Sequence, residues 1–251
     1  MSANDRVRFA PVEGAAELFT PQFSDFLVTL HDRFTPRVHE LRAKRAQVLE
    51  NALKRGVPPG PLPPSAARTG DWRVPPMPEE LRTPGIEISG PASITAMFIN
   101  ALNPGPEGTR AEGDLDDDED SAGHRFIDTV QAAHNRLQAV TRKLTFHNPE
   151  TNRTYRMDAG EIPFFMHRER GLSLDETDVT VDGQPIPACI LGTALTLFYA
   201  GRAQAERGQG IYWYLPKLES AEEAGFWRDF FDASSAALAW PRPPVIKAII
   251  L

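Results

Sequence analysis

The 251-residue chain has one cysteine, Cys189. A single thiol forms no internal disulfide, which fits a reducing, cytoplasmic setting. The six histidines fall at no zinc-ligand spacing and none accompanies Cys189, so Cys189 reads as a packing residue and no zinc site is expected. No apolar run approaches the roughly 20 residues of a transmembrane helix. The N-terminal MSANDRVRFAPVEG lacks the apolar centre of an export signal. Cations are in deficit, with 27 Lys and Arg against 34 Asp and Glu and a net charge of −7. Nucleic acids and anionic membranes call for clustered cations, so neither is expected as a partner. No internal repeat is visible.

What is present is a large apolar complement, 41% of residues with 14 Phe, enough for one large domain or two small ones. Thr20-Pro21 is a helix start, a capping hydroxyl followed by proline at the first helical position. Phe23, Phe26, Leu27, Leu30 and Phe34 follow at helical spacing. Thr35-Pro36 repeats the start signal and predicts a second helix carrying Val38, Leu41, Val48, Leu49 and Leu53. Its cations, Arg42, Lys44, Arg45, Lys54 and Arg55, read as a solvated face. VPPGPLPP at 57–64 precludes helix or central strand. A small N-terminal helical domain is therefore expected at 1–56 and a proline-rich linker and loop at 57–84, with Trp72 anchoring the loop.

From Gly85 onward strands alternate with helices, which predicts an α/β domain with a parallel sheet over 85–251. Core strands are expected at 85–91, 109–113, 162–166, 211–215 and 245–251. Helices are expected at 93–102, 126–144, 190–205 and after Ser220, where Ser220 and Glu223 form a capping box. Small β insertions are predicted at about 143–158 and 178–187. A closed (β/α)8 barrel uses about 250 residues. With about five core strands, the prediction is an incomplete TIM barrel, about five of eight strands.

Two stretches carry chemistry. Ile162-Pro163-Phe164-Phe165-Met166 runs into Arg168 and Arg170 and closes at Gly171. An apolar strand ending in fixed cations suits the ligand-facing rim of a parallel sheet, although solvated arginines on an edge strand have the same composition. The acidic run EGDLDDDED at 112–120 places Asp114, Asp116 and Asp118 at alternate positions. It is not a calcium loop, because Glu119 stands where glycine is required and Arg125 where the closing glutamate is. A solvated acidic loop is the plain alternative.

These residues also resemble a family. Arg168-Glu169-Arg170-Gly171 followed by Val181-Asp182-Gly183 is similar to the Arg-Pro-Arg-Gly and Val-Asp-Gly segments of bacterial and plant malate synthases, with Glu169 in place of the family's proline. Gly90-Pro91, Met97 and Ile99-Asn100-Ala101-Leu102-Asn103 resemble its Gly-Pro…Met…Ile-Asn-Ala-Leu-Asn segment. Leu215-Pro216-Lys217-Leu218-Glu219-Ser220 resembles its Leu-Pro-Lys-Met-Glu-Ser strand end. Asp114-Leu115-Asp116-Asp117 is matched to its Asp-Phe-Glu-Asp segment. The resemblance runs from about residue 18 to residue 251 and covers the N-terminal half of a family member.

The resemblance implies condensation of glyoxylate with acetyl-CoA and water to malate and CoA, as in the glyoxylate cycle. It implies Arg168 as the catalytic and substrate-binding arginine, and magnesium as cofactor with Asp114 and Asp116 in its outer shell. The family's first-shell metal ligands and its aspartate base fall outside the resemblance, so none is expected in this chain. The expectation is a truncated or split malate synthase homologue, inactive alone, with a second chain as a possible source of the other half. Lys217 and Glu219 are expected to be structural. The alternative is a non-catalytic interaction module derived from such a half.

Overall fold

A computed structural model describes residues 2–82, 85–240 and 242–251. Its strands are β1 Val7–Phe9, β2 Glu87–Gly90, β3 Gly113–Asp117, β4 Thr145–Asn148, β5 Arg153–Arg156, β6 Phe164–Arg168, β7 Asp175–Val181, β8 Gln184–Pro187, β9 Ile211–Leu215 and β10 Ile246–Ile250. The longer helices are α1 Pro21–Arg55, α2 Thr95–Leu102, α3 Phe126–Val140, α4 Ala188–Thr196 and α5 Ala221–Leu238. A π turn at Leu197–Gly201 extends α4 into a further helical turn, Arg202–Glu206. Five strands form one parallel sheet in the order β2-β3-β6-β9-β10. Each neighbouring pair is joined through a helix, as an alternating strand–helix pattern requires. The chain is thus an α/β protein with a helical N-terminal part.

Register decides which residues share a face. Gly113, Leu115 and Asp117 stand beside Phe164, Met166 and Arg168, while Asp114 and Asp116 stand beside Phe165 and His167. Side chains alternate along a strand, so these are opposite faces. The face of Phe165 packs on Phe98, Ile99, Leu102, Ala132 and Val140 of α2 and α3. On β9, Ile211, Trp213 and Leu215 join the core of α1, α4 and α5. The other face carries Leu115, Met166 and Tyr212, with Leu81 against them. Residues of both edge strands, Glu87 on β2 and Lys247 and Ile249 on β10, line one 590 Å³ cavity over that face. The sheet is therefore curled, and Val74, Met77 and Leu81 of the proline-rich segment close over its concave side. Residues 83 and 84, at the end of the expected linker, lie outside the described residues. Trp72, expected to anchor this segment, is 58% exposed and donates its indole N–H to Ala67 O at 2.8 Å, within the segment itself.

The N-terminal part corrects one expectation. Residues 21–55 form one helix with Pro36 inside it, not two helices. An interior proline costs about 3 kcal/mol. Phe34, Val38 and Leu41 bury on both sides of it, each contributing about 1.5–3 kcal/mol, so tertiary packing offsets the break. Phe34 meets Phe226 and Phe230 of α5 at 5.6 and 5.0 Å between ring centroids. The helix starts as predicted, with Thr20 Oγ1 accepting from Phe23 N at 3.2 Å. It closes at Gly56, whose φ of +64° favours glycine. Its cations are not all solvated. Arg45 Nε donates to Glu223 Oε1 at 2.6 Å, and Arg42 donates to the carbonyls of Leu172 and Leu174. α1 shares a single core with α4, α5, β7 and β9. The two β excursions are hairpins, β4–β5 and β7–β8, and β1 adds to the second as an antiparallel edge.

Candidate functional site

The carboxyl ends of β3, β6 and β9 converge on a charged rim. Arg168, last on β6, puts Nε 3.4 Å from Asp117 Oδ1 and pairs through Nη2 with Asp120. Its guanidinium lies 5.8 Å from the Tyr214 ring centroid. Lys217 Nζ bridges Glu119 Oε1 at 2.9 Å and Asp120 Oδ1 at 2.8 Å. Its backbone sits in the left-handed region, φ +53°, and its carbonyl accepts from Arg45 Nη2 at 2.9 Å. Gly171 N–H donates to Glu119 Oε2 at 2.5 Å. Asp117 holds its own loop, accepting from Glu119 N, Asp120 N and Ser121 Oγ at 2.9, 3.2 and 2.8 Å. Arg168 and Lys217 thus reach one place, both tethered by carboxylates. A rigid guanidinium fork beside an ammonium suits a small anion or a developing oxyanion.

Asp114 and Asp116 do not join Arg168. Both point to the helix side of the sheet, because β3 begins at Gly113 and Asp117 is the position level with Arg168. The strand expected at 109–113 lies instead at Gly113–Asp117, where Leu115 is the one large apolar residue and composition gives no strand signal. The acids at the rim are Asp117, Glu119 and Asp120. The signal for them lay three residues further on, where Asp117-Asp118-Glu119-Asp120 keeps three of the four residues of the Asp-Phe-Glu-Asp segment. Lys217, expected to be structural, contacts those acids. Glu219 lies just before the Ser220 cap of α5, its Oε1 3.5 Å from Arg45 Nη1.

Behind the rim, on the helix side, Arg136 of α3 is 2% exposed. Its Nε donates to Asp116 Oδ1 at 2.6 Å, and its Nη1 to Asp118 Oδ2 at 2.9 Å and Glu169 Oε1 at 3.0 Å. Thr196 Oγ1 donates to Glu169 Oε1 at 2.5 Å. His167 Nδ1 lies 2.7 Å from Asp116 Oδ2, and its Nε2 lies 3.2 Å from Gln204 Oε1. Glu169 is therefore a buried partner of Arg136 and not a solvated substitution. A Cβ on Gly192 would overlap its carboxylate, so the bare glycine of α4 makes room for it. The hub joins the 117–121 loop to the 168–171 loop from the rear.

Burial pushes the Asp118 carboxyl up to about 7, against the pull of Arg136. An acid with a raised folded pKa stabilises the fold below its unfolded value, near 3.8, and that contribution is lost as pH rises through about 7. Asp118→Asn removes the titration. The stability of the variant relative to the parent is therefore expected to rise between pH 4 and pH 8, read by urea denaturation at each pH. A gap that stays flat across that range would refute the assignment.

Magnesium demands near-octahedral oxygen ligation. Among the described residues, the one group that brings three candidate ligand atoms together is His31, Asp32 and Asp182, and Arg6 pairs with both of its carboxylates at 2.6 Å. The rim acids are already held by Arg168, Lys217 and backbone N–H groups. The residues of this chain do not by themselves form a magnesium site.

A parallel α/β sheet with cations gathered where its strands end is the arrangement of α/β proteins that take ligands at the carboxyl rim. The family model described as malate synthase, TIM barrel domain, matches residues 164–251. Malate synthase of Myxococcus xanthus is 35% identical over 94% of this chain and 42% of its own length. That of Streptomyces clavuligerus is 34% identical over 100% of this chain and 47% of its own length. Malate synthase A of Escherichia coli is 30% identical over 100% and 46%. The chain belongs to the malate synthase family and spans less than half the length of these curated relatives. No helix among the described residues is long and apolar enough to cross a membrane.

Proposed function

We propose that this chain supplies the arginine-bearing rim of a malate synthase, which condenses glyoxylate with acetyl-CoA and hydrolyses the thioester to malate and CoA. The observation that carries the reading is Arg168 at the end of β6, level with Asp117 and close to Tyr214. In this chemistry the acetyl methyl group loses a proton and the resulting enolate carbon attacks the glyoxylate aldehyde. A permanently charged guanidinium stabilises the enolate oxygen as charge develops there. Lys217 adds a second positive charge, and Asp117 and Asp120 fix the arginine's orientation. Magnesium, as the family uses it, would polarise the aldehyde; Asp117 and Glu119 are better placed than Asp114 and Asp116 to support it from the outer shell. The five parallel strands correspond to five of the eight in a TIM barrel. The base and the first-shell metal ligands belong to the part of the relatives that this chain does not match. A reducing cytoplasm suits the buried thiol of Cys189, which burial pushes up to about 12.

The test is CoA release from acetyl-CoA with glyoxylate and magnesium. The 251-residue chain alone is expected to give background rates. Addition of the unmatched C-terminal part of the Myxococcus xanthus relative, as a second chain, is expected to restore glyoxylate-dependent release. Arg168→Lys is expected to lower that rate about 10²–10³-fold, the usual loss for one oxyanion donor. Activity of the isolated chain, or an unchanged rate in Arg168→Lys, would overturn the proposal. An interaction module is the second reading, favoured by the exposed apolar residues of β10. Failure of the second chain to bind would support it.

A further inference from the structure

Asp114 is 1% exposed, and neither of its carboxyl oxygens has a hydrogen-bond partner. Its neighbours across the sheet are Ile88 on β2 and Phe165 on β6, both apolar. The hydrogen bonds of Arg136 go to Asp116, Asp118, Glu169 and Thr196, and none reaches Asp114. Burial first, and the charge of Asp116 second, hold the Asp114 carboxyl well above the usual carboxylate range. Buried polar groups in folded proteins are almost always paired, so a carboxyl with both oxygens bare calls for a partner. Asp114 lies at the buried inner side of a 290 Å³ groove between β2 and α2, lined by buried Phe98, half-buried Ala101 and exposed Ile88, Met97, Ser89 and Asn100.

We propose that this cavity binds a small organic cation, an ammonium group on a short unbranched apolar stem. The ammonium would meet the Asp114 carboxylate, and the stem would lie between Ile88, Met97 and Phe98. The chemistry selects this class in three ways. One carboxylate among apolar walls cannot satisfy a hard metal ion, which needs six or more oxygens. An anion would supply no countercharge and would push the already raised carboxyl pKa further up. A neutral hydroxyl would leave the carboxyl without the charge-assisted bond that favours its ionised form. The volume admits a stem of a few carbons. Such a group reaches the cavity either on a free alkylamine or as the lysine side chain of another protein. This site lies on the helix side of the sheet, away from Arg168, and does not depend on the reading of the rim.

The probes are n-butylammonium chloride, Nα-acetyl-lysine N-methylamide and, as the uncharged control, n-butanol. Binding to the whole chain is followed by calorimetry and by the NMR shift of the ¹³C-labelled Met97 methyl group. Saturable binding of butylammonium with movement of the Met97 signal is expected, and at least tenfold weaker binding to Asp114→Asn. Binding of butylammonium alone marks a free amine as the ligand. Binding of the lysine derivative as well marks a side chain. Should Asp114→Asn fail to fold, Met97→Lys serves instead: its tethered ammonium is expected to exclude butylammonium and raise the melting temperature. No saturable binding of either cation, equal binding of butanol, or unchanged affinity in the variants would overturn the proposal.

Discussion

Arg136→Ala is expected to unfold much of the population. Arg136 is the single guanidinium shared by three buried carboxylates, Asp116, Asp118 and Glu169, with side chains 0%, 8% and 5% exposed. Removing one partner of a buried pair costs about 3–5 kcal/mol, because the other charge stays buried and unpaired. Here three carboxylates lose their guanidinium, Asp116 keeping only His167 and Glu169 only the Thr196 hydroxyl. Total domain stability is about 5–15 kcal/mol, so the loss consumes most of the margin. For a chain of this size each kcal/mol moves the melting point by about 2–4 °C, which predicts a fall of roughly 6–20 °C. The measurement is a reversible melt or urea titration followed by circular dichroism. A variant that melts within about 2 °C of the parent would show that the carboxylates find water or protonate without cost, and the hub would then be incidental. The same variant frees the 117–121 and 168–171 loops, so Arg168 is expected to lose its position even where the fold survives.

The purified chain is expected to self-associate through β10. Val245, Ile249, Ile250 and Leu251 are 50%, 44%, 56% and 49% exposed, and among the described residues β10 pairs with β9 alone. Its outer edge offers unpaired backbone donors and acceptors beside apolar side chains, the combination that recruits further strands. Burying each such side chain contributes about 1.5–3 kcal/mol, enough to drive association at micromolar concentration when several are covered together. Lys247 is the one charge in the strand. Ile250→Lys places a second charge at the edge and is expected to shift the chain towards monomer in size-exclusion chromatography with light scattering. A parent chain that runs as a monodisperse monomer with a cooperative melt would contradict this expectation. So would an oligomer that Ile250→Lys leaves unchanged.

Local pattern sufficed where burial and covalent geometry act on a few consecutive residues. The runs at 162–166 and 211–215 are apolar enough to be core strands wherever the chain puts them, and the run at 245–251 forms a strand that stays half exposed. Thr20 and Ser220 are caps because a hydroxyl satisfies a free N–H within its own turn. Arg168 was legible because a cation that closes an apolar strand must emerge at the strand's end. Tertiary structure decided the rest. β3 is strand although four of its five residues are Gly or Asp, because neighbours on both sides supply its hydrogen bonds. Once it begins at Gly113, alternation sends Asp114 and Asp116 to the helices and Asp117 to the rim. One residue of register separates a site residue from a buried ion pair, and no propensity reports it. Pro36 sits inside a helix because Phe34, Val38 and Leu41 have a surface to cover. Glu169 is buried because Arg136, 33 positions earlier, and Gly192, 23 later, provide a charge and a space for it. Such contacts are set by which elements meet, so the sequence by itself determined the apolar strands, the caps and Arg168, while packing decided β3 and the partners of Arg168.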